Sequence, residues 1–291
     1  MKPAPFAYHA PSSIDEALAL LHEHGYDAKP LAGGQSLIPA MNFRLATPSV
    51  LVDLNRIAGL SSVRRDGASL QIGAMTRHRT LERSLDVAQA APLVRAAMPF
   101  VAHAAIRTRG TLGGSLAHAD PAAELPAVML ALNATFTLAS RAGSRNVPAA
   151  AFFAGLFATA LEPGELLVGI TVPARADRSA AAFDEVSRRH GDFALAGAAA
   201  YIEVGPDGRC DVARVGLLSL ADKPVLAAEV ARLLVGTRPS KEGIREAAEA
   251  SARTDIDPTS DIHASSRYRR QLAAVLIRRV LERAFLSLEN A

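Results

Sequence analysis

The sequence of 291 residues predicts an α+β fold built from three consecutive parts. In the first two parts, apolar runs of strand character alternate with helical patterns. A polar, proline-led stretch at 173–179 then indicates a boundary. Beyond it, three strand patterns are joined by connections too short for crossover helices, so they predict an antiparallel sheet, and helical patterns fill the remainder. We therefore divide the chain into domains at 1–55, 56–175 and 179–291.

The first part begins with a helix and continues as a strand, turn and strand. Ser13 and Glu16 form a capping box, and apolar residues then recur at helical spacing until Gly25 ends the helix. The remaining elements are predicted as a strand at 28–31, a helical turn at 37–41 with its N-terminus toward the preceding glycine pair, and a buried strand at 50–54.

The second and third parts continue the same alternation. Asp120 stands directly before Pro121, as an N-cap residue does, so we expect Asp120 to cap a helix over 122–132. The other elements of the second part are predicted as strands at 70–74, 135–139 and 166–172 and a helix at 90–98. Those of the third part are predicted as strands at 182–186, 196–204 and 212–220 and helices at 225–234, 241–252 and 266–288.

Two glycine pairs in similar surroundings indicate a function. They lie in the first glycine segment, Ala32-Gly33-Gly34-Gln35-Ser36, and in the second glycine segment, Thr111-Leu112-Gly113-Gly114-Ser115. Because glycine lacks a Cβ, each segment is expected to turn backbone N–H groups toward an anion, and together they predict a site for the diphosphate of a dinucleotide. Neither segment has the G-x-G-x-x-G spacing of a Rossmann site, and no G-x-x-x-x-G-K-[ST] sequence is present.

The composition disfavours several other classes. Cys210, the one cysteine, forms no disulfide within the chain and supplies too few thiolates for an iron-sulfur cluster, so such a cluster belongs to a partner. The net charge of +3 without a dense basic stripe disfavours nucleic acid. No apolar run reaches the roughly 18 residues of a membrane span, and no export signal is evident, so we expect a cytoplasmic protein. We interpret the arginines of 267–283 as a solvated helix face, with an acidic docking partner as the alternative.

The remaining charged and nucleophilic residues indicate neither a metal site nor a catalytic site. His103, His118 and His190 lack close ligand spacing, so no metal is predicted. We interpret Arg107 and Arg109 as salt-bridged surface residues rather than phosphate ligands. Since no Ser-His-Asp or Cys-His set is evident, no catalytic residue is predicted, and the chemistry available is that of a bound cofactor.

Over nearly its whole length the chain resembles the FAD-binding medium subunits of the molybdenum hydroxylases, the family of the carbon monoxide dehydrogenase medium subunit and the xanthine dehydrogenase flavin domain. The motifs that carry the resemblance are the two glycine segments, Ile106-Arg107-Thr108-Arg109-Gly110, His118-Ala119-Asp120-Pro121-Ala122-Ala123-Glu124-Leu125-Pro126, Gly164-Glu165-Leu166-Leu167 and Arg188-Arg189-His190-Gly191-Asp192-Phe193-Ala194. The resemblance implies noncovalent FAD in a two-part, PCMH-type N-terminal domain. It also implies a C-terminal domain of a three-stranded antiparallel sheet with a helix bundle.

The resemblance further implies which residues contact FAD. They are Ala32, Gly33, Gly34, Gln35, Ser36, Leu37, Thr111, Gly113, Gly114, Ser115, Asp120, Glu124, Leu167 and Phe193. The two glycine segments would hold the diphosphate and ribityl regions, and Asp120 and Glu124 would bind ribityl hydroxyls or buttress the second segment. Leu167 would pack on the isoalloxazine. Phe193 stands where the family has tyrosine and is predicted near the flavin, with a core position as the alternative.

The function that the resemblance implies is electron transfer. Electrons would pass from the 2Fe-2S centres of a small partner subunit through FAD to an external acceptor. Hydroxylation would occur on a large molybdenum-cofactor subunit, within a dimer of heterotrimers. The alternatives are a flavin-free scaffold or assembly subunit, which the intact glycines disfavour, and a free-standing flavin oxidase, which lacks a convincing base.

The substrate and the electron acceptor stay open. Carbon monoxide, a purine, an aldehyde or an N-heterocyclic aromatic would suit such a complex, and Gln35, which stands where the carbon monoxide enzyme has histidine, favours the last three. NAD, a quinone or oxygen are the alternatives for the acceptor.

Overall fold

The computed structural model describes residues 2–289, and its strands form four sheets. The strands are β1 (Ala7–His9), β2 (Ala28–Leu31), β3 (Val50–Asp53), β4 (Val63–Asp66), β5 (Ser69–Gly73), β6 (Thr135–Ser140), β7 (Gly143–Pro148), β8 (Phe153–Gly155), β9 (Ala158–Thr159), β10 (Leu166–Pro173), β11 (Ser179–Ser187), β12 (Ala194–Val204), β13 (Cys210–Leu218) and β14 (Val225–Leu226). The helices are α1 (Ile14–His24), α2 (Leu37–Asn42), α3 (His78–Arg83), α4 (Leu85–Ala90), α5 (Pro92–Ala97), α6 (Ala104–Arg107), α7 (Leu112–His118), α8 (Glu124–Ala131), α9 (Ala149–Phe152), α10 (Ala228–Leu234), α11 (Lys241–Thr254) and α12 (Ser266–Glu289). In the described part of the chain, no helix combines the length and apolarity that a membrane crossing requires.

The N-terminal sheet is parallel, with strand order β1-β3-β2. Helix α1 packs on it through Ala17, Leu18 and Leu21, which are almost fully buried. The hydroxyl of Ser13 accepts the Glu16 amide at 3.1 Å, as expected of the N-cap, and Gly25 ends the helix at φ 52°. The carboxylate of Glu16 returns to the Ser12 amide, at 2.7 Å, rather than to Ser13. This sheet delivers the chain from β2 directly into the first glycine segment.

The central sheet is antiparallel, with strand order β4-β5-β10-β6-β7. The main hydrophobic core lies between this sheet and helices α3 to α8. Phe136 of β6 meets Phe152 edge-on, with ring centroids 4.7 Å apart. The predicted strands of this region are present, whereas the edge strands β4 and β7, the β8-β9 hairpin and the short helices α3, α6 and α9 were not predicted.

The C-terminal sheet is antiparallel, with strand order β11-β12-β13-β14. Helix α12 packs on one face of it, and α5 and α8 pack on the other, so both faces of β12 are covered. Small residues fill that strand, because alanines at 196 and 198–200 are fully buried between the two layers. The three predicted strands are present as β11, β12 and β13, and the two-residue β14 occupies the start of the helix predicted at 225–234.

Two predicted helices have different bounds, for reasons visible in the backbone. The helix predicted at 90–98 is α5, which starts at Pro92. It is separated from α4, which was not predicted, at Ala91 (φ −139°, ψ 61°), because proline disfavours a helical conformation in the residue before it. The helix predicted to be capped by Asp120 begins at Glu124, with Ala123 as its N-cap. Asp120 instead accepts the Ala122 amide at 2.9 Å and closes a turn.

The arginines of α12 are not uniformly solvated, so the predicted solvated face is wrong for part of the set. Arg269 is buried, and its guanidinium bridges Asp261 at 2.6 Å and the Leu195 carbonyl at 2.6 Å. Arg283 bridges Asp184 of β11 at 2.5 Å. These contacts attach the helix to the sheet beneath it.

Candidate dinucleotide site

The first glycine segment, residues 32–36, leaves backbone N–H groups available to a ligand. Gly34 has φ +73°, a conformation that favours glycine. Within residues 2–289, the amides of Gly33, Gly34, Gln35 and Ser36 donate to no protein acceptor. Consecutive N–H groups of this kind form the concave anion sites known as nests. The arrangement agrees with the diphosphate role predicted for this segment.

A cavity of about 350 Å³ opens beside these amides. Its lining comes from the first glycine segment, from α2 and from two distant parts of the chain, and consists of Leu31, Ala32, Gly33, Gly34, Gln35, Ile38, Pro39, Asp53, Asn55, Ile106 and Arg109. This volume lies within the usual range of small-molecule sites. Apolar walls with a few polar groups are the ordinary composition of a nucleotide pocket.

The two glycine segments lie together, as the sequence predicted. A Cβ built on Gly33 would stand 2.5 Å from the Arg109 carbonyl oxygen and 2.8 Å from the Gly110 Cα. A Cβ on Gly114 would stand 3.4 Å from that of Ala32. The close approach at Gly33 leaves no room for a side chain. Glycine is therefore required there for the contact between two segments of the chain, and not only for a turn.

The second glycine segment, residues 111–115, differs from the predicted loop, because its glycines lie in the first turn of α7. Thr111 is the N-cap, and its hydroxyl accepts the Gly114 amide at 3.1 Å. The amides of Leu112 and Gly113 donate to the carbonyls of Thr76 and Ala74, and the Ser115 amide donates to the Thr111 carbonyl. These N–H groups are therefore occupied within the protein. The segment supports the cavity by packing and not by offering amides.

A network of hydrogen bonds connects side chains beside the cavity to the backbone of the first glycine segment. Asn55 donates to the Ala32 carbonyl at 3.0 Å and to Asp53, and Tyr8 donates to the other Asp53 oxygen at 2.5 Å. Burial alone would raise the pKa of Asp53, but the hydrogen bonds from Tyr8 and Asn55 outweigh it and hold that pKa below its ordinary value. Asp53 therefore stays ionised and fixes Asn55.

Arg77 completes this network from α3's N-cap position. Its guanidinium donates to the Asn55 side-chain oxygen at 2.5 Å and also to the Arg109 carbonyl. The same residue therefore holds both walls of the cavity. Sequence reasoning missed Asn55, Asp53 and Arg77, since nothing in their local sequence brings them beside residues 32–34.

The two arginines near the second glycine segment differ from each other. Arg107 is buried and salt-bridged to Glu82 at 3.2 Å, and it also donates to the carbonyls of Val101 and Ala102. It was predicted to be salt-bridged, but its placement on the surface was wrong. Arg109 is exposed and lines the cavity, and it forms no ion pair among the described residues. Arg109 is the cation available to a phosphate.

His78 supports the second glycine segment from α3. Its Nε2 lies 2.9 Å from the Thr111 carbonyl, while its buried Nδ1 has no partner among the described residues. Burial lowers the pKa of His78 to about 4, so the ring is neutral at physiological pH. Its neutral ring is a fixed support.

The other predicted contact residues occupy separate places. Leu167 is buried in β10, and Glu124 is buried at the start of α8, where burial raises its pKa to about 7. Phe193 is 71% exposed, so the alternative of a core position is wrong. Two residues before it lies Gly191, where the ring of His103 occupies the space that a Cβ would take. The loop of Phe193 therefore rests against the segment that leads to α6.

The donor set of the site fits a dinucleotide better than a metal. Free amides, one exposed guanidinium and apolar walls match a diphosphate with organic groups on either side. Among residues 2–289, no three or more His, Cys, Asp and Glu side chains are grouped so as to hold a metal ion. Cys210 is buried, and burial raises its pKa to about 11, so its thiol is inert.

Comparison with known proteins agrees with this geometry. Residues 4–175 match the family described as FAD binding domain in molybdopterin dehydrogenase, and residues 181–284 match CO dehydrogenase flavoprotein C-terminal domain. The chain is 43% identical to the 6-hydroxypseudooxynicotine dehydrogenase complex subunit alpha of Paenarthrobacter nicotinovorans, over 98% of this chain and 96% of that one. It is 40% identical to the carbon monoxide dehydrogenase medium chain of Afipia carboxidovorans, over the full length of both.

The solved structures agree with the sequence matches. Carbon monoxide dehydrogenase from Hydrogenophaga pseudoflava superposes with a TM-score of 0.96 at 38% identity, over 98% of this chain and 99% of that one. Identity at this level over both matched regions extends beyond the fold to the family. The chain therefore belongs to the FAD-binding medium subunits of the molybdenum hydroxylases, a family of oxidoreductase subunits.

Proposed function

We propose that this chain holds FAD and passes electrons, received from the 2Fe-2S centres of a small partner subunit, to an external acceptor. One observation carries the proposal: residues 33–35, whose amides are unpaired within the described part of the chain, line a cavity together with Arg109. At Gly33 the first glycine segment approaches residues 109–110 too closely for a side chain. A diphosphate supplies negative charge for the free amides and for Arg109. FAD, when bound, supplies the ability to hold one or two electrons.

The residues of the first glycine segment have the most direct role in the proposed site. Residues Gly33 to Ser36 bind the diphosphate through their amides, Ala32 is held by Asn55, and Leu37 begins the helix behind them. The amide side chain of Gln35 donates to the Gly33 carbonyl at 3.0 Å, which fixes the shape of the segment. Arg109 adds a charge-assisted hydrogen bond.

The second glycine segment positions the first. Thr111, Gly113, Gly114 and Ser115 place α7 so that Gly114 packs on Ala32. The remaining contacts that we propose belong to the flavin end of the cofactor and are made by Asp120, Glu124, Leu167 and Phe193. The exposure of Phe193 supports this role, because an apolar ring left in solvent gains by covering a planar ligand.

We propose the domain division 1–55, 56–175 and 179–291, with the first two holding FAD. In the complex, a large molybdenum-cofactor subunit carries out hydroxylation, and the assembly is a cytoplasmic dimer of heterotrimers. Support comes from the relatives, since one is named as a subunit of a dehydrogenase complex and another as a medium chain. The C-terminal sheet and its helices form the third domain.

FAD titration of the purified chain tests the proposal. We expect the apo chain to bind added FAD with quenching of flavin fluorescence and a yellow product. Candidate substrates added alone should leave the flavin oxidised, whereas a one-electron reductant should bleach it. A chain that takes up no FAD supports the scaffold alternative, and substrate-driven bleaching supports the free-standing oxidase.

A further inference from the structure

Two carboxyl groups, of a buried and a half-buried glutamate, lie where the second and third domains meet. Glu124, at the start of α8, is 8% exposed, and among the described residues no group other than its own amide donates to its carboxylate. Glu185, on β11, has its Oε2 atom buried without a hydrogen-bond partner. Unpartnered buried charge is costly in free energy, so each group favours its neutral form.

The strand register places Glu185 opposite Gly197 of β12, the strand on which α8 packs. Phe183, two residues earlier on the same face of β11, packs in the central core with its ring centroid 5.0 Å from that of Phe100. Helix α8 packs on this same face of the C-terminal sheet. The turn before α8 is tied to the sheet by a 2.8 Å hydrogen bond from the Ser219 amide to the Pro121 carbonyl. Both residues therefore lie at the interface between α8 and the C-terminal sheet, where the charge of Glu124 acts on Glu185.

Burial raises the pKa of Glu185 to about 8, with further increases from the charges of Glu124 and Asp184. Burial raises the pKa of Glu124 to about 7, with a smaller contribution from Asp120. Both carboxyl groups can therefore change protonation state near neutral pH.

The charged groups around the pair offer no counterion. Asp184 is on the opposite face of β11 and is bridged by Arg283 and Arg279 of α12. Helix α5 carries Arg95, which is exposed, and α8 has no titratable side chain besides Glu124. On β12, Tyr201 and Glu203 hydrogen-bond to each other at 2.9 Å. Among residues 2–289, no cation forms an ion pair with Glu124 or Glu185.

We propose that Glu124 and Glu185 are a proton-holding pair that takes up a proton when negative charge is added to the neighbouring flavin. The proposal rests on the proposed function, because it places FAD beside Glu124. Two electrons from an external one-electron donor reduce the flavin, which takes up one proton from water, and a second proton moves from water to a carboxylate of the pair. Added negative charge in a poorly solvated site favours the neutral carboxyl.

Spectroelectrochemical titration of the FAD-loaded chain between pH 6.5 and 9 tests this proposal. Each proton taken up per two electrons changes the midpoint potential by about 30 mV per pH unit. Between pH 7 and 8.5 the wild-type potential should fall more steeply than that of Glu185→Gln, by up to about 30 mV per pH unit. Glu246→Gln, an exposed acid-to-amide change on α11, is the matched control and should follow the wild type.

Equal slopes in the wild type and Glu185→Gln would overturn the proton-holding pair while leaving FAD binding intact. Should Glu185→Gln fail to fold, proton uptake by the wild type is measured directly with an indicator dye in weak buffer. Uptake no greater than that of free FAD, reduced in the same way, also overturns it. Failure of the wild-type chain to bind FAD overturns the proposed function as well, so the two failures are distinguishable.

Discussion

At Gly33 the first glycine segment approaches the backbone of Arg109 and Gly110 so closely that only a hydrogen atom fits between them. Gly33→Ala places a methyl group 2.5 Å from the Arg109 carbonyl, and the obstacle is backbone, which has no alternative rotamer. We expect the first glycine segment to shift and FAD affinity to fall at least tenfold, about 1.4 kcal/mol. Fluorescence titration of the apo chain with FAD measures this loss.

Gly243→Ala is the control for the Gly33 variant. Gly243 lies in α11, where an added Cβ makes only ordinary contact, at 3.4 Å, with the Ser240 hydroxyl. This change should leave FAD affinity unaltered and stabilise the helix by roughly 0.5–1 kcal/mol. If Gly33→Ala bound FAD as the wild type does, the close approach would have no role in the site.

Arg109 is the residue whose charge we expect the diphosphate to use. Hydrogen bonds to charged groups contribute about 1.5–3 kcal/mol, so Arg109→Gln should weaken FAD binding by roughly 10- to 100-fold. Arg64→Gln is the matched control, because Arg64 is exposed and pairs with Asp66 away from the cavity. Isothermal titration of both variants with FAD gives the comparison. Equal affinities would show that Arg109 does not contact the cofactor.

Residue patterns predicted part of this site and missed the rest for a physical reason. The glycine pairs are visible because a residue without a side chain marks a close approach wherever it lies in the chain. Asn55 and Arg77 are ordinary polar residues locally, and only the tertiary fold brings them to the carbonyls of Ala32 and Arg109. Arg109 was not predicted as a phosphate ligand, because surface arginines usually form salt bridges. Only the fold shows that Arg109 has no salt-bridge partner among the described residues.

At the scale of elements, the second glycine segment works as the beginning of a helix. Thr111→Ala removes the hydroxyl that accepts the Gly114 amide, at a cost of about 1 kcal/mol. The melting temperature should fall by roughly 2–4 °C for a chain of this size. FAD affinity should fall also, because α7 positions Gly114 against Ala32. Thermal unfolding with and without FAD measures both effects.

Thr111→Ser is the control for this helix cap. Serine keeps the accepting hydroxyl, so its melting temperature should stay within about 1 °C of the wild type. An equal loss in the serine and alanine variants would show that the methyl group, and not the cap, stabilises α7.

Elements with clear flanking signals were predicted more accurately than the others, and the sequence explains the difference. The strands β2 and β3 are short apolar runs with clear flanking signals. The helix predicted at 90–98 is present as α5, but it starts two residues later, because the backbone turns at Ala91 before Pro92. Helix α8 is buried along its whole length, so it has no polar face to mark where it begins.

Across the whole molecule, the C-terminal sheet is covered on both faces, and its contact with α8 is where the buried acids lie. Arg214 of β13 donates to the Ala131 carbonyl at 2.8 Å at the far end of that helix. Hydrogen bonds thus tie both ends of α8 to the sheet. Composition and periodicity predicted the sheet and the helices, but this junction depends on pairing between distant segments.

The buried acids make stability depend on pH in a predictable direction. The folded pKa values of Glu185 and Glu124, about 8 and about 7, lie above their values in the unfolded chain. The folded protein therefore holds more protons, and its free energy of unfolding falls as pH rises through the folded pKa values, by up to about 1.4 kcal/mol per pH unit for each proton. His78, whose folded pKa is about 4, has the opposite effect but acts below its unfolded value of about 6.5.

The window between pH 6.5 and 8.5 consequently isolates the carboxyl pair. We expect the melting temperature of the FAD-free chain to fall across this window and that of Glu185→Gln to fall less, since glutamine stays neutral and keeps the size of the side chain. The exposed change Glu246→Gln should retain the wild-type slope. Differential scanning fluorimetry in a series of buffers of constant ionic strength gives the three curves. Parallel curves for the wild type and Glu185→Gln would mean that Glu185 is ionised throughout the window and that the junction tolerates its charge.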